Sequence, residues 1–149
     1  MKSIEDVLQE KIIEALSFPL AAMTSRRVKV ARIAKKALAI IGMRRAGKTC
    51  FLFQLMSERL SNGIPRDHLV YINFEDERLL EIQTSHLSWL LEEYFRLVPA
   101  ARDQQSVTFL FDEIQLIPGW ENFVRRILDT ERVEVIVSGS SAKMLSLEI

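Results

Sequence analysis

From residue 37 onward, short apolar runs alternate with longer segments in which apolar residues recur every three or four positions. The short runs are typical of buried strands and the longer segments of amphipathic helices, which indicates β-α-β units and a parallel sheet. The predicted strands cover residues 37–41, 69–74, 107–111 and 133–137. The predicted helices cover residues 48–60, about 84–98 and a third segment that begins at Trp120. The pattern therefore predicts a three-layer α/β fold.

The first 36 residues follow a different pattern. Ser3 and Asp6 form an S-x-x-D capping pattern, and the apolar residues that follow at helical spacing predict a helix over residues 4–16. Residues 24–36 mix strand-like alternation with basic residues, and their periodicity predicts no element. We therefore expect an N-terminal helical and basic segment over residues 1–36 and a core domain over residues 37–149.

The composition excludes several classes of protein. The chain has 149 residues, 48% of them hydrophobic, and its 20 basic residues balance 20 acidic ones. The single cysteine excludes an internal disulfide, and no run approaches the roughly 18 apolar residues of a membrane span. The N-terminus lacks the apolar stretch of a signal peptide. We therefore expect a cytoplasmic protein without a membrane partner.

The net charge of the whole chain is zero, but one stretch of the chain is strongly basic. No acid lies between Glu14 and Glu58, and residues 26–36 carry six cations. Such a cluster could bind a nucleic-acid backbone, with an affinity that falls steeply as salt rises. No aromatic residue lies among these cations to stack on bases. A solvated or partner-facing segment is therefore the favoured interpretation, and nucleic-acid binding remains the alternative.

Residues 37–49 combine a strand, the motif G-x-x-x-x-G-K-T and the start of a helix, which is the P-loop or Walker A arrangement. The glycines let backbone N–H groups approach phosphate oxygens, and the helix directs its positive dipole end at the same anion. In this motif Lys48 reaches the β- and γ-phosphates, and the Thr49 hydroxyl is a Mg²⁺ ligand. The predicted nucleotide-binding residues are Gly42, Met43, Arg44, Arg45, Ala46, Gly47, Lys48, Thr49 and Cys50.

Three of these residues have structural alternatives. Arg44 and Arg45 are as well explained by solvated side chains as by contact with phosphate or a neighbouring subunit. Cys50 lies in the first helical turn, where a reactive thiol at the positive end of the helix is the alternative, but packing is the favoured role for this side chain.

A second motif follows the strand at residues 107–111. Asp112 and Glu113 come directly after it, which is the Walker B pattern in its D-E form. The first acid holds the Mg²⁺ shell, and the second occupies the position of a base that orients and deprotonates an attacking water. Two acids after an apolar strand are more often a solvated strand end, but the upstream P-loop favours the catalytic interpretation.

The fourth strand ends in Ser138-Gly139-Ser140-Ser141. In P-loop ATPases of the additional-strand (ASCE) class, this strand lies between the P-loop and Walker B strands, so a polar tip can sense the γ-phosphate. Ser140 is the first candidate for this catalytic role and Ser138 the second, while a helix N-cap explains the serines equally well. The chain lacks the base-reading and switch motifs of GTPases, which favours ATP.

Five segments together resemble the AAA-type ATPase domain of a bacterial and archaeal family whose members usually carry a C-terminal domain of the DUF4143 type. These segments are Gly42–Thr49, Tyr71–Asp76, Leu110–Gln115, Pro118–Glu121 and Ser138–Ser141. The resemblance covers about residues 37–149. It implies ATP and Mg²⁺ binding, ATP hydrolysis, and the sheet order 5-1-4-3-2.

The resemblance also sets expectations about activity and assembly. The chain ends before the arginine-bearing segment, the fifth strand and the C-terminal domain of that family, so we expect a truncated core that is a weak or inactive ATPase by itself. An open edge at the P-loop strand would favour self-association. The alternative function is a nucleotide-binding regulatory or DNA-associated switch with negligible turnover.

Overall fold

The computed structural model describes residues 2–17, 37–41, 47–103 and 107–139. In chain order these residues form α1 (Ile4–Ser17), β1 (Leu38–Ile41), α2 (Lys48–Ser61), β2 (Leu69–Asn73), α3 (Thr84–Leu97), β3 (Val107–Asp112), α4 (Trp120–Thr130) and β4 (Val133–Gly139). Short 3-10 helices lie in the connections at Arg66–His68, Glu77–Leu79, Pro99–Asp103 and Ile114–Leu116. Within these ranges no helix has the length and apolar character needed to cross a bilayer.

The four strands form one parallel sheet in the order β1-β4-β3-β2. β4 thus lies between β1 and β3, which confirms the predicted order for these strands. Every residue of β3 and β4 is buried, as expected for central strands that are covered on both faces. The fifth strand of the expected order is not among the described residues, and residues 140–149 lie outside the described ranges.

The two central strands extend past the last apolar residue of their predicted runs. β3 includes Asp112, and β4 includes Ser138 and Gly139. The register pairs Asp112 with Asn73 on one side and with Ser138 on the other. Because hydrogen bonds satisfy these polar side chains, burial does not require the strands to end before them.

Each face of the sheet packs against different helices. On one face α2 contributes Leu52, Leu55 and Met56, which pack on Leu69, Leu110 and Ile136 of three strands. On the other face α1, α3 and α4 cover a larger core that includes Phe109 and Phe111 of β3. Successive residues of β3 thus point to opposite cores, as strand geometry requires.

Helix α1 is part of this packing. Its buried side chains Leu8, Ile12 and Ala15 join the larger core, and α1 contacts both α3 and β2. Polar contacts add to this packing: Lys11 Nζ lies 3.0 Å from Asp76 Oδ2, and Arg66 donates to the Ala15 carbonyl oxygen over 3.0 Å. The second contact satisfies a carbonyl group of the last helical turn.

Gly119 joins the starts of two helices. It caps α4 with φ 76°, a conformation that disfavours residues with a side chain. A Cβ atom at this position would lie 2.6 Å from Thr84 Oγ1, at the start of α3. Thr84 in turn donates a hydrogen bond to the Pro118 carbonyl oxygen. The Pro-Gly-Trp sequence therefore holds the two helices together while Trp120 is buried in the core.

Candidate functional site

All four strands end at the same edge of the sheet because they are parallel. The register places Ile41 of β1 beside Gly139 of β4, and Asp112 of β3 beside Ser138 of β4. In open parallel sheets, ligands bind in the crevice beyond this carboxyl edge. The predicted P-loop follows β1 and the predicted Walker B residues lie at the end of β3, so only β4 separates the two strand ends.

Gly47 and the start of helix α2 lie at this edge. Gly47 is the N-cap of α2 with φ 86° and ψ 8°, and its carbonyl oxygen accepts a hydrogen bond from Phe51 N over 2.9 Å. No atom of the described residues lies within 4 Å of a Cβ built on Gly47, and its left-handed conformation by itself favours glycine here. N–H groups in the first turn of a helix have no intrahelical acceptor and are available to an anion. Gly42, Met43, Arg44, Arg45, Ala46 and the side chain of Lys48 lie outside the described part of the chain.

Asp112 is the centre of a hydroxyl network. Its side chain is buried, with 2% exposed. Thr49 Oγ1 donates to Oδ2 over 3.0 Å, the Tyr71 hydroxyl donates to the same oxygen over 2.6 Å, and the Ser138 hydroxyl donates to Oδ1. Three donors offset the cost of burying this carboxylate. The structure therefore brings Thr49 and Asp112, the two predicted metal ligands, within hydrogen-bonding distance of each other.

The donors of this pair suit Mg²⁺. A hydroxyl and a carboxylate are hard oxygen ligands, and Mg²⁺ commonly takes only one or two protein ligands alongside phosphate oxygens and water. Among the described residues, no group of three or more His, Cys, Asp and Glu side chains could hold a metal ion. The donor set therefore fits Mg²⁺ bound together with a phosphate ligand.

Tyr71 is a site residue that sequence reasoning missed. Its ring packs edge-to-face on Phe53 of α2, with centroids 4.9 Å apart. Burial, together with the hydrogen bond to Asp112, raises the pKa of Tyr71 far above its usual range, so the hydroxyl stays protonated and remains a donor. The sequence signal for this contact is the alternation of side chains along β2 and β3. Tyr71 and Asn73 share one face of β2, and Leu110 and Asp112 lie on the same face of the sheet in β3.

Glu113 departs from the strand in an uncommon conformation. It has φ 58° and ψ 39°, the one positive φ of a non-glycine residue in the described ranges, and it caps the 3-10 helix Ile114–Leu116. The left-handed region costs such a residue about 1–2 kcal/mol. The side chain is buried with 6% exposed, and Gln115 Nε2 donates to its Oε2 over 2.5 Å. Asp112 at the end of β3 and Glu113 directly after it are therefore buried and hydrogen-bonded, unlike a solvated strand end.

Only some of the remaining candidates lie in the part of the chain that the structure describes. Ser138, the second candidate for a sensor, bonds Asp112, whereas Ser140, the first candidate, lies outside the described residues. Cys50 is exposed, so the favoured expectation that it packs in the core is wrong. The buried stripe of α2 runs through Leu52, Leu55 and Met56, and Cys50 lies off that stripe.

Comparison with known proteins gives a family and several relatives. A family model described as AAA domain matches residues 34–149. An uncharacterized protein of Methanocaldococcus jannaschii is 36% identical over 144 residues, which cover 96% of this chain and 30% of that protein. An uncharacterized protein of Haemophilus influenzae is 30% identical over 111 residues, which cover 74% of this chain and 26% of that protein. This chain thus spans less than a third of the length of either relative.

Proposed function

The chain belongs to the AAA domain family. On this premise we propose that it binds ATP with Mg²⁺ at the carboxyl edge of its sheet and hydrolyses ATP to ADP and phosphate there. The observation that carries the proposal is the contact between Thr49, in the first turn of α2, and the buried carboxylate of Asp112. A hydroxyl at a helix start and a carboxylate at the end of a nearby strand are the two protein ligands that a phosphate-bound Mg²⁺ requires.

Phosphate binding is assigned to the start of α2. The N–H groups of its first turn, the loop from Gly42 to Gly47 and the Lys48 ammonium would surround the β- and γ-phosphates. Gly47 supports this assignment, because its left-handed conformation turns the chain directly into the helix. Thr49 and Asp112 would hold Mg²⁺, which when bound neutralises charge on the phosphate oxygens.

Hydrolysis is assigned to Glu113. Its carboxylate would orient the attacking water and accept a proton from it. One of two serines would sense the γ-phosphate. Ser138 would do so through its hydrogen bond to Asp112, and Ser140 is the other candidate. The work that this hydrolysis drives would be delivered to a partner or to a further domain, such as the C-terminal domain of the resembling family.

Nucleotide binding is tested by comparing two lysine substitutions that remove the same charge. Lys48→Ala removes the proposed phosphate contact, and Lys2→Ala removes an ammonium group that pairs with Glu10 near the N-terminus. We expect a tenfold to hundredfold loss of affinity for fluorescently labelled ATP with Lys48→Ala, as for a lost charge-assisted hydrogen bond, and no loss with Lys2→Ala. Equal affinities of wild type and Lys48→Ala would contradict the proposal.

Turnover is tested under single-turnover conditions, with protein in excess over ATP, because we expect a slow reaction. Glu113→Gln keeps the shape of the side chain but removes the base. It should leave ATP affinity unchanged and slow phosphate release about 10² to 10⁴ fold. Binding without measurable phosphate release by the wild type, with or without DNA, would instead support the switch function.

A further inference from the structure

Glu113 has a strained backbone conformation between two fixed neighbours. Asp112 is fixed by three hydroxyl donors, and the Ile114 side chain is fully buried in the larger core. Glu113 itself has φ 58° and ψ 39°, which is unfavourable for a residue with a side chain. Such strain persists only where surrounding contacts impose it, and it is concentrated at active sites and switch regions. The contacts of Glu113 therefore hold its backbone in this conformation.

The side-chain contacts of Glu113 bury it and stabilise it as an anion. Only 6% of the residue is exposed, and Gln115 Nε2 donates to its Oε2 over 2.5 Å. Glu113 also takes part in at least one further polar interaction. A hydrogen bond that is donated to a carboxylate stabilises the ionised form, which makes the carboxylate a weaker proton acceptor. The contact with Gln115 therefore opposes the transfer of a proton from water to Glu113.

The same contact is unfavourable for the other end of the Gln115 amide. Nε2 has to face the carboxylate, because only the amide nitrogen can donate. This orientation leaves Gln115 Oε1 buried without a hydrogen-bond donor in the described part of the chain. A buried acceptor without a donor carries a desolvation cost. The strained backbone of Glu113 and the unsatisfied Oε1 both oppose the contact, so they lower the free energy that is needed to open it.

We propose that this contact is inhibitory: Gln115 holds Glu113 in a resting position, and ATP hydrolysis requires the contact to open. The inference rests on the proposed function, in which Glu113 accepts a proton from the attacking water. Opening can be confined to a rotation of the Glu113 backbone, because Asp112 and Ile114 on either side of it are fixed. The observed rate of hydrolysis then equals the rate of the open state multiplied by the population of that state.

The variant Gln115→Leu tests the direction of the effect. The change removes the donor, so the open state should become more populated. Single-turnover phosphate release should then be about 3 to 30 fold faster, as for the loss of one hydrogen bond to a charged group. A contact that orients Glu113 for catalysis, or one that only stabilises the fold, predicts no increase. In the double variant with Glu113→Gln the increase should vanish, because the base that the change releases is then absent.

Hydrogen exchange in the absence of ATP measures the same opening independently. The Leu116 N–H donates to the Glu113 carbonyl oxygen over 3.3 Å, so a rotation of the Glu113 backbone breaks this bond. The Ile117 N–H donates over 3.0 Å to the Ile114 carbonyl oxygen, which lies beyond the rotating residue and serves as an internal reference. In Gln115→Leu, exchange at Leu116 should rise by a factor similar to that for phosphate release, and exchange at Ile117 should not change.

The chain offers a matched control for the loss of such a contact. Gln9 Nε2 donates over 3.0 Å to Oε2 of Glu93, which is also a buried glutamate, but this pair joins α1 to α3. Gln9→Leu therefore removes the same kind of hydrogen bond away from the carboxyl edge. It should leave both phosphate release and exchange at Leu116 unchanged.

Each contrary outcome identifies what has failed. If the wild type hydrolyses ATP and Gln115→Leu releases phosphate at the same rate or more slowly, the contact is not inhibitory and the proposed function remains intact. Faster release without faster exchange at Leu116 would also overturn the inference. If both proteins bind ATP and neither hydrolyses it, the hydrolytic proposal fails and this inference fails with it. Should Gln115→Leu fail to fold by circular dichroism, Gln115→Met, which keeps an unbranched chain without the amide, gives the same comparison.

Discussion

At the scale of single residues, the site depends on how hydroxyl groups stabilise a buried carboxylate. Within the described part of the chain, the Asp112 oxygens accept hydrogen bonds from the hydroxyl groups of Thr49, Tyr71 and Ser138. Hydroxyl donors stabilise the charge without cancelling it, so the carboxylate keeps a negative field for a cation. An arginine in their place would form an ion pair and compete with a bound metal ion.

Tyr71→Phe tests this network. The change removes the hydroxyl donor from Asp112 Oδ2 and keeps the ring that packs on Phe53. If Tyr71 orients a metal ligand, the Mg²⁺ concentration that half-saturates ATP binding should rise about tenfold, as for other residues that support metal ligands. Binding of ATP in the presence of EDTA should not change, and titration of labelled ATP with Mg²⁺ measures both quantities.

Tyr94→Phe is the control for the tyrosine substitution. The Tyr94 hydroxyl donates to the Asp67 carbonyl oxygen over 2.7 Å, in a buried position on α3 that lies outside the candidate site. The variant should lose stability but keep the wild-type dependence on Mg²⁺. A Tyr71→Phe protein with wild-type Mg²⁺ dependence would remove Tyr71 from the metal site.

The sequence predicts part of this residue-scale arrangement and misses the rest for identifiable reasons. The position of Asp112 at a strand end follows from an apolar run that stops at an acid. The contact with Tyr71 depends on the register between β2 and β3, which an apolar pattern leaves open. The left-handed turn at Glu113 carries no signal either, because glycine or asparagine ordinarily marks such a position.

At the scale of elements, α1 is attached to the rest of the molecule by charges as well as by its apolar face. Asp76 follows β2, bonds Lys11 of α1 and also accepts from the Arg78 guanidinium. Arg78 extends to Glu14 of α1 with contacts of 3.0 and 3.1 Å. The hydrogen bond from Arg78 is the main reason that the pKa of Asp76 lies well below its usual range.

The direction of this pKa predicts how stability depends on pH. A carboxylate whose pKa is lowered by folding contributes stability in full above its unfolded pKa of about 4, and that contribution declines as pH falls from this value towards the lower pKa of the folded state. Asp76→Asn should therefore cost about 1 to 3 kcal/mol in the free energy of unfolding at pH 6. The difference between variant and wild type should shrink as the pH is lowered to 3, and urea unfolding at both pH values measures it.

Asp129→Asn provides the matching control for Asp76→Asn. Asp129 is exposed on α4, so the variant makes the same change of charge without removing the contacts that attach α1. Its effect should stay within about 0.5 kcal/mol at both pH values. If Asp76→Asn is equally mild at pH 6, the charged contacts do not stabilise α1 and its apolar face alone holds it.

At the scale of the whole molecule, the edges of the sheet differ in how they are covered. β2 forms one edge and packs against α1. β1 forms the other edge, and in the described ranges it pairs with β4 alone, through the register from Leu38 to Ile41. The apolar pattern predicts the strands and the family resemblance predicts their order, whereas residues 24–36, for which the pattern predicts no element, lie outside the described part.

An edge strand with unpaired backbone groups is a template for pairing with another chain, so we expect self-association through β1. Ala39 is exposed in the middle of this strand, and Ala39→Lys adds the kind of charge that protects natural sheet edges. The variant should weaken self-association about tenfold, measured by sedimentation velocity over a range of protein concentrations. Ala100→Lys, at an exposed position after α3, adds the same charge and should leave association unchanged. A wild type that remains monomeric at every concentration would show that the edge is covered and would contradict the prediction.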